Sequence, residues 1–314
     1  MKGILSLAFL GQTIRISVPY VLAALGGLWS ERSGVINIAL EGMLLAGAFG
    51  AAAGCLATGS AGAGVLLGVL AGVALAALYG LAVIRGRADQ IVCGVAATLL
   101  AIGATRFFLK LAFGSSSNSP RVEALASPAW AARGGLPGFL GDTVGSPLVL
   151  ATALLVAATA VLLGRSRFGL RLRAVGEHPE AAEAVGVRVA PLRWAGVLLS
   201  GALAGLGGVW LCYDQHGFVA GMSAGRGFIA LAAMILGSWT PLGALAACLL
   251  FGAAEALQLR LQASALAAHG GLVQSLPYLV TIATLALRAR RQVAPRALGR
   301  PWPPSSPLEE RRAA

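Results

Sequence analysis

The chain has 314 residues, 57% of them hydrophobic and only 11% charged, and its mean hydropathy is +0.80. A soluble domain carries about a quarter charged residues, so the composition argues against a soluble enzyme or binding module and for a polytopic membrane protein. The net charge of +12 does not indicate nucleic acid, because the basic residues lie beside apolar runs and form no basic domain of their own.

The N-terminal MKGILSLAFL resembles the start of a signal peptide. No small-residue cleavage site precedes the next apolar run, so it reads as leading into a retained span. Apolar runs follow at roughly 13–28, 34–57, 61–84, 91–112, 148–164, 194–214, 227–239, 241–259 and 273–287. A full helical span needs about 20 residues, so the pattern predicts an all-α protein of about 8–10 transmembrane helices. By that length, 13–28, 227–239 and 273–287 are short. Asp89, just before QIVCGVAATLL, is placed to cap its helix, and Pro241 fits the first turn of PLGALAACLL. Cys55, Cys93, Cys212 and Cys248 stand singly and read as packing residues, with no metal-ligand spacing. His178, His216 and His269 are equally isolated. No catalytic or metal site is expected.

Sidedness comes from arginine. Six fall in 165–193 and seven in 288–314, with Arg32, Arg85 and Arg87 in short loops that count to the same side. Such clusters mark the cytoplasmic face. Counting outward puts 85–90 inside and 113–147 outside, which gives nine crossings with the N-terminus outside. One half-helix among the short segments would change that count.

Two segments resemble each other. IALEGMLL at 38–45 and IALAAMIL at 229–236 are offset by 191 residues, and each follows a Gly-containing break, SGVIN or SAGRGF. Corresponding Gly-interrupted segments predict broken helices in two related halves, with a midplane pathway between them. Asn37 and Glu41 lie four apart in VINIALEGM, so a helix there would put them on one face. They are candidates for lining a translocation path beside Gly34. The alternative is a structural hydrogen bond from Glu41 that fixes the bend. Glu255 and Gln258, one turn apart in GAAEALQLRLQ, are path candidates or simply water-facing. Arg226 reads as a boundary anchor, and Trp210 and Tyr213 as an interfacial aromatic belt.

At mid-length stands GEHPEAAEAVGV, residues 176–187. Pro179 suits a first helical position, Glu180 and Glu183 meet the positive end of the helix dipole, and Gly186 suits a left-handed helix end. Such a helix of about two turns is not stable alone and must pack on something. Desolvation of its glutamates keeps it out of the membrane. It is therefore either a solvated loop or a docking knob for a partner.

EAAEAVG carries the spacing E-A-A-x-x-x-G and resembles the cytoplasmic signature of permease subunits of binding-protein-dependent ABC importers. SERSGVINIALEGMLLAGAF, GRADQIVCGVA, FGLRLRAVGEHPEAAEAVGV, SGALAGLGG, GRGFIALAAMILGSWTPLGALAACLLFGAAEAL and LPYLVTIATLAL resemble, in order, the simple-sugar branch of these permeases. Within that branch they are most similar to the second, shorter permease of nucleoside importers. The resemblance runs from about residue 15 to 287. It implies that Gly176, Glu177, His178, Pro179, Glu180, Ala181, Ala182 and Gly186 form a coupling helix seated in a groove of an ATPase subunit. That helix would lie in a cytoplasmic coupling segment, 165–193, of a transmembrane permease domain, 1–293.

The resemblance further implies a second permease subunit in a heterodimer, an extracytoplasmic substrate-binding protein, and location in the cytoplasmic (inner) membrane. The implied solute is a nucleoside, with a ribose-like sugar as the alternative. No G-x-x-x-x-G-K-[ST] phosphate loop is present, so no cofactor is expected on this chain, and ATP would bind the partner ATPase. Two other classes are weighed against this one: a secondary transporter, which would also explain Glu41, and a non-transporting scaffold. Membrane lipid is an expected partner and nucleic acid is not. The Pro-rich, charged stretch 294–314 reads as a disordered cytoplasmic tail.

Overall fold

Every backbone N–H and C=O inside a bilayer needs a partner within the chain, which restricts lipid-exposed spans to helices or closed barrels. Here the solution is helical. A computed structural model describes residues 7–125, 143, 145–262, 275, 277, 279–284, 286 and 294–303. Its helices are α1 (Leu7–Arg32), α2 (Leu40–Thr58), α3 (Ala61–Gly80, continued by a π turn over Leu81–Arg85), α4 (Gln90–Phe113), α5 (Pro147–Arg165), α6 (Arg167–Glu177), α7 (Pro179–Ala184), α8 (Val189–Asp214), α9 (Arg226–Leu236) and α10 (Pro241–Gln262). Among the described residues, seven helices are long and apolar enough to cross a membrane. The run at 273–287 is described only in part, and its described residues 275, 277, 279–284 and 286 are helical.

The local signals set the ends as expected. Asp89 accepts from Val92 N at 2.8 Å and caps α4, and Pro241 opens α10. One expectation needs correction. The run 13–28 is not a short span but part of the 26-residue α1. Hydropathy falls at Arg15 and Glu31, yet both stay helical because each finds a partner: Arg15 pairs with Asp214 at 2.6 Å, and Glu31 accepts from Trp239 Nε1 at 2.6 Å.

A second correction concerns 34–57. Residues 35–37 have no regular secondary structure and α2 begins only at Leu40. The later short run behaves similarly. α9 has 11 residues, which reach about 16 Å, roughly half of a bilayer core. The repeated octets thus sit in different local structure: the second lies wholly inside α9, whereas α2 starts within the first.

Contacts divide the molecule into two ends. At one, Arg32 Nε donates to the Trp239 carbonyl at 2.9 Å, Ile36 N donates to Gln90 Oε1 at 2.8 Å, and Ala297 N donates to the Gly176 carbonyl at 2.9 Å. This Arg-rich end gathers the loops that charge counting placed together. At the other, Ser119 N donates to Phe218 O and Val122 N to His216 O, both at 2.9 Å. The stretch 216–239 therefore runs from one end to the other, with α9 as its only helical part.

The core lies where α2, α3 and α8 meet. Gly68, Gly72, Gly201, Gly205 and Gly208 bring backbone against backbone, and a Cβ at Gly208 would fall on the Leu44 carbonyl and Ala48 amide. Small residues at such crossings let membrane helices pack by close van der Waals contact, since lipid offers no hydrophobic drive between them. Trp210 and Tyr213 belong to this packing rather than to an interfacial belt. They are 5% and 3% exposed, and the Tyr213 hydroxyl donates to the Ala61 carbonyl. The four cysteines are free.

Candidate functional site

Glu41 stands in the first turn of α2 but serves a different helix. Its carboxylate accepts from Gly225 N at 2.8 Å and from Gly227 N at 2.6 Å. These N–H groups open α9, where no intrahelical acceptor exists, and the negative charge faces the positive end of that helix. Gly227 approaches so closely that a Cβ would overlap the Glu41 backbone. Of the two readings of Glu41, the structure displays the structural hydrogen bond, and the bend it holds is that of α9.

Asn37 departs from expectation. It lies in the non-helical stretch before α2, so the shared helical face does not exist. Its Nδ2 donates to Ser200 Oγ of α8 at 2.7 Å, and its Oδ1 is buried with no partner among the described residues. Asn37 and Glu41 thus tie the first break to two different helices, and both are buried.

Glu255 and Gln258 do come together, on the wall of a cavity of about 270 Å³ lined also by Tyr20, Arg226 and Ile229. Arg226 is an ion-pair partner there rather than a boundary anchor, because its Nη2 lies 3.1 Å from Glu255 Oε1. The Tyr20 hydroxyl donates to the other carboxylate oxygen. An ion pair in an apolar bundle is held by mutual compensation, and removing one partner leaves an uncompensated charge. Arg226→Met should therefore reduce the yield of folded protein, and adding Glu255→Leu should restore it, as read by size-exclusion chromatography of solubilised protein. Equal yields for Arg226→Met and the parent chain would show that the pair contributes nothing.

The polar segment folds as two helices joined at a corner. Ser166 caps α6 by accepting from Gly169 N at 2.9 Å. His178 breaks the helix with a non-helical backbone (φ −142°, ψ 81°), and Pro179 opens α7. Gly186 follows with φ +83°, the left-handed end that favours glycine. The eight residues assigned to coupling divide in two. Gly176 and Ala182 turn inward, Ala182 packing with Val175 and Val189, while His178, Glu180, Ala181 and Gly186 are exposed. Glu177 lies 4.0 Å from Arg32 and accepts from Arg296 N at 3.3 Å.

The last contact overturns part of the tail reading. Residues 294–303 are not a free tail but pack on the Arg-rich end. Gly299 N donates to the Gly34 carbonyl at 3.1 Å, Arg193 Nη1 donates to the Arg300 carbonyl at 2.7 Å, and Trp302 packs beside Val175, Ala182 and Val189. The Pro-rich composition suggested disorder because it offers no helical or strand periodicity, whereas this segment is held through backbone groups and one indole. Residues 304–314 lie outside the described residues. Two buried groups escaped the sequence reading: Glu31 and Arg193, each 3% exposed. Each sits at the edge of an apolar run, where a charge ordinarily marks the water boundary, so no local signal set them apart. Among the described residues, no group of three or more His, Cys, Asp or Glu is placed to hold a metal ion.

Broken helices that meet inside an apolar bundle, with a short polar corner displayed at one end, define an α-helical, multi-pass membrane protein of the transporter type. The chain belongs to the family described as branched-chain amino acid transport system / permease component, whose model matches residues 9–285. It is 39% identical over 302 residues to the guanosine ABC transporter permease protein NupQ of Bacillus subtilis, covering 92% of this chain and 94% of that one. It is 35% identical to the nucleoside ABC transporter permease protein NupC of Lactococcus lactis, covering 90% and 92%. A putative glucose ABC transporter permease protein, TsgC13 of Haloferax volcanii, is 34% identical over 88% and 90%. No solved structure matches the chain. The resemblance drawn from the six sequence blocks is thereby borne out at the level of the family.

Proposed function

We propose that this chain is the permease subunit of an ATP-driven ABC importer that carries nucleosides across the cytoplasmic membrane. The observation that carries the reading is its likeness, over about nine-tenths of both chains, to permeases named for guanosine and for nucleosides. The Arg-rich end faces the cytoplasm, in keeping with the charge rule. A separate ATPase subunit, which binds the ATP, docks on the exposed side of α7 through Glu180, Ala181 and Gly186. A second permease completes the pathway, and a binding protein delivers solute at the opposite end.

In this mechanism, closure of the ATPase pushes the α6–α7 corner. The corner is tied to the end of α1 and to the first break, and through Glu41 the first break is tied to the start of α9. Both broken helices therefore move with the corner, and access switches. Glu255 and Gln258, on the cavity wall, contact solute along the path. Asn37 and Glu41 set its walls.

Uptake of labelled guanosine, uridine and ribose by cells lacking the gene, with and without the restored chain, tests the substrate. Restored nucleoside uptake that free ribose does not compete is the expected result. Ribose uptake alone would move the substrate to sugars, a reading that the putative glucose permease keeps in view. Docking has its own test. Glu180→Arg should lower co-purification with the ATPase about tenfold, as removal of a desolvated interface charge does. Unchanged co-purification and uptake would remove α7 from the docking surface.

A further inference from the structure

We infer that residues 294–303 are a strap that couples the α6–α7 corner to the first helix break, so that motion of the corner reaches the translocation path through it. The inference rests on the coupling role proposed for α7.

The strap touches three things at once. To the corner it gives Ala297 N, bound to the Gly176 carbonyl at 2.9 Å, and Arg296 N, bound to Glu177 at 3.3 Å. Arg296 Nη1 also lies 3.4 Å from His178 Nε2. To the first break it gives Gly299 N, bound to the Gly34 carbonyl at 3.1 Å. To the bundle it gives the Arg300 carbonyl, the acceptor for Arg193 Nη1 at 2.7 Å. Trp302 closes the strap by packing against Val175 and Val189, with Ala182 of α7 in the same apolar cluster.

Arg193 shows what the strap does for the bundle. The side chain is buried, and its Nε and Nη2 have no partner among the described residues. The strap carbonyl is thus the acceptor for a buried guanidinium, a group costly to leave unpaired. Two backbone bonds fix the strap to both moving parts at positions only two residues apart in sequence, Ala297 and Gly299. That spacing leaves little slack between the corner and Gly34. From Gly34 the connection continues through Asn37 to Ser200, and through Glu41 to the start of α9. Physical continuity through packed, hydrogen-bonded elements with two arrangements is what carries coupling between separated sites.

The test measures solute moved per ATP hydrolysed in proteoliposomes holding the full complex. Trp302→Ala should leave ATPase co-purification unchanged and lower that ratio about threefold, within the range that substitutions along a coupling chain produce. Trp302→Phe should recover most of it. Gly299→Val supplies a second variant that leaves the bundle untouched. Gly299 has φ +81°, and an added Cβ would fall 2.9 Å from Ile36 Cδ1, so the variant lifts the strap from the break. It should lower the ratio similarly. An unchanged ratio in both variants overturns the strap while leaving the docking proposal standing. Loss of co-purification in Trp302→Ala also overturns it, since the strap would then hold the partner rather than transmit its motion. Retained co-purification in Glu180→Arg overturns the docking proposal instead.

Discussion

Replacing Glu41 with alanine should lower the apparent unfolding midpoint of the solubilised protein by about 5–10 °C and abolish uptake. Two charge-assisted hydrogen bonds are lost, each contributing about 1.5–3 kcal/mol, and for a chain of this size each kcal/mol moves the midpoint by about 1.5 °C. The loss is large because no substitute is at hand. The N-cap position of α9 is Gly225, which has no side chain to supply an acceptor, and Glu41 is 6% exposed, so water does not reach the freed N–H groups easily. Glu41→Gln retains one acceptor oxygen and should fall about halfway between, because the neutral amide loses the dipole interaction as well. Thermal unfolding followed by intrinsic fluorescence checks both variants. A midpoint for Glu41→Ala that coincides with the parent would show that α9 takes its cap from elsewhere.

Gly208→Leu should prevent accumulation of folded protein, whereas Gly103→Leu should be tolerated. At Gly208 the added carbon meets backbone atoms of α2, the Leu44 carbonyl and the Ala48 amide, and backbone cannot rotate away as a side chain can. Overpacking typically costs about 1–3 kcal/mol when side chains absorb it, and here α2 and α8 must separate along their whole contact. Gly103 lies on the exposed face of α4 with nothing near its missing side chain. Exchange of glycine for a good helix former there contributes about 1 kcal/mol in favour of the helix. Comparing the monodisperse fraction of the two variants after solubilisation checks the pair. Equal recovery would show that the α2–α8 contact is not the tight one.

Much of this fold is legible along the chain because lipid enforces local rules. Long apolar runs must be helices, so α3, α4, α5, α8 and α10 stand where hydropathy put them. Capping chemistry is equally local: Asp89, Pro179, Pro241 and Gly186 perform at their own helix ends what their side chains or ring predispose them to do. Errors arose where hydropathy is silent about conformation. Val35, Ile36 and Ile38 are apolar whether helical or extended, so the run through Asn37 looked continuous although α2 begins at Leu40. Trp210 and Tyr213 looked like interface residues because amphipathic rings often are, yet glycine-rich neighbours made room for them in the core.

By itself, then, the sequence determined the membrane class, most of the spans, the Arg-rich end and the short polar corner, and its ordered blocks pointed to the permease family. Only the tertiary structure decided which groups answer one another. Glu41 caps a helix 184 and 186 positions away, Arg226 pairs with Glu255, and the strap reaches back from Arg300 to Arg193. Periodicity and propensity act over a few residues, whereas these pairings depend on where whole helices pack, and a buried charge shows its partner only once the chain has folded around it.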